Sequence, residues 1–306
     1  MKRAVSLSLG TSRRNFSTRL EIFGEEVEVR RIGCDGDLRQ LASLLRHFDG
    51  RVQALGLGGM NFAYRVGARA YAVAQAAALR RLVRRTPLVD GSLLKDTVER
   101  RLVVYLAHEY GLDWPSLRVL VVSALDRFGL TEALVREGAA VVIGDALFGL
   151  RLPLLFSSLQ GFALAARLLL PLLRRLPLTW FYPTGAKQDR PGNSRAPVYR
   201  RVQVIAGDFH FLWRYLPADL AGKGVIASSL WPEECALLRT RGAAWVATPL
   251  PAVEGRSWAA NIWEAALTAA VGRTRLEGWG EEVLWSRLQE AGLRPRMEVF
   301  HGKTGR

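Results

Sequence analysis

Short apolar runs along this chain alternate with stretches of helical spacing. "AVSLSLG" (4–10) reads as a strand, and "TRLEIFGEEVEVRRIG" (18–33) alternates polar and apolar residues around Gly24 and Glu25, the pattern of a hairpin. "DLRQLASLLRHF" (37–48) gathers its apolar residues on one helical face, with Asp37 as the expected N-cap. A buried strand follows in "VQALGLGG" (52–59), then an Ala-rich helix over 70–85, a brief strand in "TPLVDG" (86–91) and a helix over 92–111.

"LDWPS" (112–116) reads as a linker into a second series. "LRVLVVSA" (117–124) is a strand, "DRFGLTEALVREG" (126–138) an amphipathic helix and "AAVVIGD" (139–145) the next strand. An apolar helical region runs to about residue 176, then "LTWFYPTG" (178–185) is a strand and turn, and "NSRAPVY" (193–199) a polar loop. Strands "RVQVIAGD" (201–208), "KGVIASS" (223–229) and "AAWVATPLP" (243–251) alternate with helices over 232–242 and 257–272. Continuous Val, Ile and Ala strands between helices predict a parallel sheet covered on both faces. The expected fold class is α/β, with two α/β domains, the second a Rossmann-like doubly wound parallel sheet. The expected boundaries are a substrate domain over 1–112, a nucleotide-binding domain over 113–271 and a helical segment packing back over 272–306.

With 306 residues, 49% of them hydrophobic and 23% charged, the composition is that of an ordinary globular protein. The net charge of +15 comes from 43 basic residues, of which only five are Lys, and the arginines are scattered. Such a field attracts anionic ligands, or reflects an Arg-rich coding bias; no zinc finger, RNP-type strand or basic recognition helix points to nucleic acid, which is not expected as a partner. Two cysteines, Cys34 and Cys235, have no metal-ligand spacing, and a reducing cytoplasm is the expected location. The uncharged run Leu152–Ala166 is shorter than the roughly 20 residues of a membrane span. It is expected as a helix buried between domains, the alternative being a helix lying on a membrane surface. No membrane span and no metal site are expected.

A doubly wound sheet binds its ligand at the carboxyl ends of its strands. There the chain places Asp126 and Arg127, Asp145, Asp208 and His210, and Arg256 and Asn261. Aligned on Gly129, the first turn reads Ala124-x-Asp126-x-x-Gly129, a phosphate-loop spacing with its middle glycine replaced by a carboxylate. Asp145 ends the next strand, where a carboxylate can accept ribose hydroxyls, so Ala124, Asp126, Arg127, Gly129 and Asp145 are the candidate cofactor residues. Asp208 and His210 suit general acid–base work. Lys95, shortly after Asp90 and Gly91, is placed as a proton donor and acceptor. Thr184 and Lys187 in "YPTGAKQ", with Arg256 and Asn261, are candidate ligands for an anionic substrate.

Several segments together, "SLGTSRRN", "LGLGGMN", "VDGSLLKDTVERR", "ALDRFG", "GDFHFLWRYLP" and "GRSWAANIWEA", resemble a bacterial family labelled quinate 5-dehydrogenase, akin to the shikimate/quinate dehydrogenases. The resemblance implies a small substrate domain, a Rossmann-like domain and a last helix returning to the first. It also implies a Lys–Asp pair that handles the proton while NAD or NADP takes the hydride. Lys95 is the match for the Lys and Asp90 the candidate for the Asp. The expected function is therefore an NAD(P)-dependent oxidoreductase acting on a polyhydroxylated cyclic acid such as quinate or shikimate, with a small anionic molecule as partner and a homo-oligomer compatible with it. The alternative is a non-catalytic, Rossmann-like nucleotide- or metabolite-binding protein.

Overall fold

The computed structural model describes residues 1–175, 191, 192, 194 and 196–300. In chain order the first elements are β1 (Lys2–Ser8), β2 (Phe16–Ile22), β3 (Glu25–Gly33), α1 (Leu38–Phe48), β4 (Ala54–Gly58), β5 (Ala63–Val66), β6 (Arg69–Ala72), α2 (Ala74–Arg80), β7 (Leu88–Val89) and α3 (Ser92–Tyr110). There follow β8 (Arg118–Val121), α4 (Phe128–Arg136), β9 (Ala140–Ile143), α5 (Asp145–Phe148), α6 (Leu159–Leu173), β10 (Val204–Gly207), α7 (Phe209–Tyr215), β11 (Gly224–Ala227), α8 (Pro232–Thr240) and β12 (Trp245–Thr248). The last are β13 (Ala252–Val253), β14 (Arg256–Ser257), α9 (Ala260–Val271), α10 (Arg273–Gly278), α11 (Glu281–Glu290) and β15 (Arg296–Val299).

The chain divides into two compact α/β units that interleave along the sequence. The first comprises 1–97, 169–189 and 259–292, the second 98–168, 190–258 and 293–306. The linear breaks expected after 112 and 271 are not where this division falls: it passes inside α3, after Thr97, and just before α9.

The first unit holds a sheet in the order β2-β3-β1-β4-β7, parallel throughout except for the antiparallel edge strand β2. Asp37 caps α1 as the sequence predicts, its Oδ1 accepting N–H bonds from Arg39 and Gln40 at 2.8 and 3.1 Å. Leu41 and Leu45 of α1 join Leu7, Leu55 and Leu57 of the strands in one core cluster. The Ala-rich segment over 70–85 is not one long helix. Residues 69–72 pair with 63–66 in a hairpin, Tyr64 opposite Tyr71, and the helix begins only at Ala74. Cross-strand aromatic pairing outweighs the helix propensity of a few alanines there.

α9 lies on β1 and β4 of this unit and is buried along nearly its whole length. Its closeness explains the glycines of "GLGG". A Cβ on Gly56 would sit 2.6 Å from the Asn261 carbonyl oxygen, and one on Gly58 would sit 3.1 Å from the Asn261 side-chain nitrogen. These glycines make room for the helix.

The second unit holds the sheet β15-β12-β11-β10-β8-β9, parallel except for β15. Trp114 in "LDWPS" is fully buried and its indole N–H donates to the Val103 carbonyl at 2.9 Å, so the expected linker is anchored to α3. β15 lies in the region expected to be wholly helical; it adds an antiparallel edge after α10 and α11. No described helix is long and apolar enough to cross a membrane. The apolar run Leu152–Ala166, which ends in α6, is not wholly buried as expected: Leu152, Leu154 and Leu164 are 49%, 48% and 61% exposed.

Candidate functional site

Sheet order determines where polar residues can converge. In the second unit the chain leaves β8 toward β9 on one side and reaches β10 on the other, so neighbouring strand ends diverge there and open a switch point. The Val122 N–H still donates to Ala206 O at 2.9 Å, and the turn through Ser123 to Arg127 closes when the Arg127 N–H donates to Ser123 O at 3.1 Å. Gly207, at the end of β10, has φ +151, and a Cβ there would be 2.6 Å from Val122 Cγ2. Only glycine lets the two strand ends approach so closely.

The turn after β8 has the amides of an anion site, but the chain fills it itself. The N–H groups of Ala124 and Leu125 donate to Asp145 Oδ2 and Oδ1 at 2.7 and 2.9 Å. Asp145 thus occupies the place expected for a phosphate instead of reading a ribose. Burial pushes its carboxyl up to about 7, although the two amide bonds favour the charged form. A phosphate at this turn would meet a carboxylate already bonded to the donors it needs. Gly129 lies one turn on, buried within α4.

Arg127 does not face a ligand phosphate either. Its side chain is buried, with Nη1 on Glu99 Oε1, Nη2 3.1 Å from Asp208 Oδ2 and Nε 3.1 Å from Asp126 Oδ2. Three carboxylates surround one guanidinium. Two serines extend the cluster: the Asp208 N–H donates to Ser123 Oγ at 3.0 Å, and Ser228 Oγ, 3.4 Å from Asp208 Oδ2, accepts the Phe209 N–H at 3.1 Å. Asp208 also caps α7, its Oδ1 accepting the backbone N–H groups of His210 and Phe211 at 3.1 and 3.4 Å. Asp208 therefore meets His210 through the backbone, as a helix cap. A cavity of about 10 Å³, room for one water, lies beside Arg127 against Glu99, Leu130, Ile226 and Ser228.

In the first unit Asp90 is a turn carboxylate. Its Oδ2 accepts the Phe62 N–H at 2.5 Å and its Oδ1 the Ser92 N–H at 3.1 Å. Lys95 Nζ donates to Asn61 Oδ1 at 2.7 Å. Glu264, a carboxylate in the apolar helix α9, reaches the start of α3, where its Oε2 accepts the Leu93 and Leu94 N–H groups at 3.0 and 3.4 Å. Burial, together with the negative charge of Asp90, pushes Glu264 up to about 8. Asn261 Nδ2 donates to Ser6 Oγ at 2.7 Å, deep beneath the sheet ends. Arg256 belongs to the second unit, 5.1 Å over the Trp231 ring and 3.8 Å from Glu254. Thr184 and Lys187 lie outside the described residues.

Sequence reasoning did not place Glu99, Glu264, Ser123 or Ser228 in the site. Glu264 carried a signal, since a lone carboxylate stands between Trp263 and Ala265 in an otherwise apolar helix. Ser123 and Ser228 carried none.

These features define an α/β protein of two units, each with a mainly parallel sheet and a buried carboxylate network near its strand ends. The chain belongs to the family described as domain of unknown function (DUF8754), which matches residues 93–300; residues 3–90 match a second, domain of unknown function (DUF8753). No curated protein matches. Among solved structures the chain is similar to an ABC transporter solute-binding protein from Burkholderia multivorans, at 12% identity and a TM-score of 0.40, covering 98% of this chain and 100% of that one. It is also similar to the periplasmic binding protein component of the arabinose ABC transporter from Shewanella sp. ANA-3, at 9% identity and a TM-score of 0.35, covering 95% of each chain. A structure from Mycobacterium smegmatis in complex with β-D-fucofuranose matches at 9% identity and a TM-score of 0.35, over 98% of this chain and 100% of that one. At such scores the likeness assigns this chain neither fold nor ligand.

Several expectations are corrected. The families matched are described as domains of unknown function, not as quinate or shikimate dehydrogenases, and the turn that would hold a dinucleotide phosphate is filled by Asp145, so the dehydrogenase resemblance and the oxidoreductase function are withdrawn. NAD and NADP are withdrawn as cofactors, in keeping with an anion turn filled by Asp145. The cytoplasmic location is withdrawn with the enzyme it accompanied.

Proposed function

We propose that this protein binds a small, neutral, hydroxyl-rich molecule without transforming it, at the carboxyl ends of β8, β10 and β11. The observation that carries the reading is the cluster of Glu99, Asp126 and Asp208 around Arg127 at the switch point of the second sheet. Carboxylates accept from hydroxyls and a guanidinium donates to them, so a polyol satisfies both sets of groups. An anion would meet three carboxylates against one arginine, which turns the expected anionic partner into a neutral one. The strand order supports the finer fold reading as well. Counted within the unit it runs 2-1-3-4-5 with an antiparallel edge, a doubly wound order that differs from the 3-2-1-4-5-6 of dinucleotide-binding Rossmann folds.

Asp90, Asp145 and Asp208, read from sequence as catalytic or cofactor groups, each accept backbone N–H bonds, a positioning task rather than a proton-transfer one. The cavity beside Arg127 has room for about one water, so uptake proceeds by local opening at Asp126 and Asp208, whose side chains stay 18% and 12% exposed. Calorimetry with a panel of pentoses, hexoses and polyols, alongside NAD, NADP and quinate, tests the proposal. Saturable binding of a neutral polyol, weakened by Ser228→Ala in protein that circular dichroism shows to be folded, is expected. Binding of a dinucleotide or of quinate, or no polyol binding by folded protein, would overturn it.

A further inference from the structure

Helix α6 carries a stripe of leucine where water-facing residues belong. Leu164, Leu168 and Leu172 recur at a spacing of four, which places them on one helical face, and all three are more than half exposed; Leu169 beside them is 47% exposed. The opposite face is the packed one, with Phe162, Ala163, Ala166 and Leu170 buried. Within the preceding loop Leu152, Leu154 and Leu155 are also exposed. Scattered surface leucines need no explanation, but a continuous stripe does.

Charge says what covers it. Between Asp145 and Asp189 the sequence contains no Asp or Glu, while Arg151, Arg167, Arg174 and Arg175 bracket the leucines. A protein partner of ordinary mixed charge gives no reason for so long a stretch without an acidic residue; an anionic lipid surface does, because every carboxylate near it would be repelled. At 15 residues α6 is shorter than a membrane-spanning helix, which takes roughly 20. An apolar stripe edged by arginine is the pattern of a helix that lies in the interface, its leucines among the acyl chains and its arginines at the headgroups.

We propose that α6 docks the protein on the surface of an anionic bilayer through Leu164, Leu168 and Leu172, with Arg167 and Arg175 contacting headgroup phosphates. The inference does not depend on which ligand the second sheet binds.

The test is co-sedimentation of the full chain with vesicles of phosphatidylcholine alone and with a third of phosphatidylglycerol added. Binding is expected to the anionic vesicles, and roughly tenfold less of it for the pair Leu168→Ser and Leu172→Ser, since their apolar area is what enters the acyl region. These residues are exposed, so circular dichroism and the melting temperature should match those of the parent chain. Raised salt should weaken binding without abolishing it. No sedimentation with anionic vesicles at low salt overturns the proposal. So does binding that the leucine pair leaves unchanged, which would mark adsorption by the scattered arginines alone. A concentration-dependent dimer that the same pair abolishes, without vesicle binding, would give the face to a second copy instead.

Discussion

Asp145 accepts the Ala124 N–H at 2.7 Å from 21 residues away, and the same carboxylate takes the next amide, that of Leu125, at 2.9 Å. A turn shaped for an external anion is thereby closed by an internal one. Replacing Asp145 by Ala leaves two part-buried amides without their acceptor and is expected to cost about 1–3 kcal/mol. Urea unfolding measures it. Asp145→Asn, which keeps one oxygen, should lose less.

The pH dependence of stability follows from Asp145 and Glu264 together. Burial raises them from 3.8 to about 7 and from 4.5 to about 8. Between pH 4 and 8, on the order of these values, the folded chain holds protons that the unfolded chain has released, so these groups' contribution falls as pH rises and is flat above about 8. Urea midpoints at pH 5 and pH 8, compared for the parent chain and Glu264→Gln, should show the smaller difference in the variant. An equal difference in both would exclude Glu264 as a source.

Lys95 acts on that same carboxylate. Its positive charge lowers the Glu264 pKa against the larger effect of burial. Lys95→Met should therefore move the Glu264 titration upward, read by carbon NMR of labelled glutamate. A downward shift would mean that the ammonium and the carboxylate do not sense each other.

Arg127 neutralises three carboxylates in a buried setting. Arg127→Met is expected to destabilise by about 3–5 kcal/mol, because unpaired buried charge is what remains. Adding Glu99→Gln should restore part of the loss, since the two residues are in direct contact. Strict additivity in a double-mutant cycle would show that they are energetically independent.

Gly56→Ala sets a Cβ 2.6 Å from the backbone oxygen of Asn261, which cannot move without shifting α9. A loss of about 1–3 kcal/mol is expected, as for overpacked cores. Thermal unfolding would report it.

Much of the fold was legible in the chain. The Asp37 cap, the helix from Ser92 and the parallel Val/Ile strands appear where their spacing placed them. The hairpin over 63–72 and the edge strand β15 were not, because each forms by pairing with a partner whose position the segment itself does not encode. Of the candidate site residues the sequence found Asp126, Arg127, Asp145 and Asp208, which do gather near the ends of β8, β9 and β10. It did not name the partners each of them meets.

Hydrophobic periodicity, caps and turn glycines act over a few residues, and the sequence by itself determined those: two series of strands and helices, mostly parallel sheets, and polar residues at strand ends. Tertiary structure decided which polar groups meet. Arg127 finds Glu99 28 residues before it and Asp208 81 residues after it, because sheet order sets β10 beside β8 and the turn carries the arginine inward toward α3. A buried charge is satisfied only by its neighbours in space, and no local pattern names them.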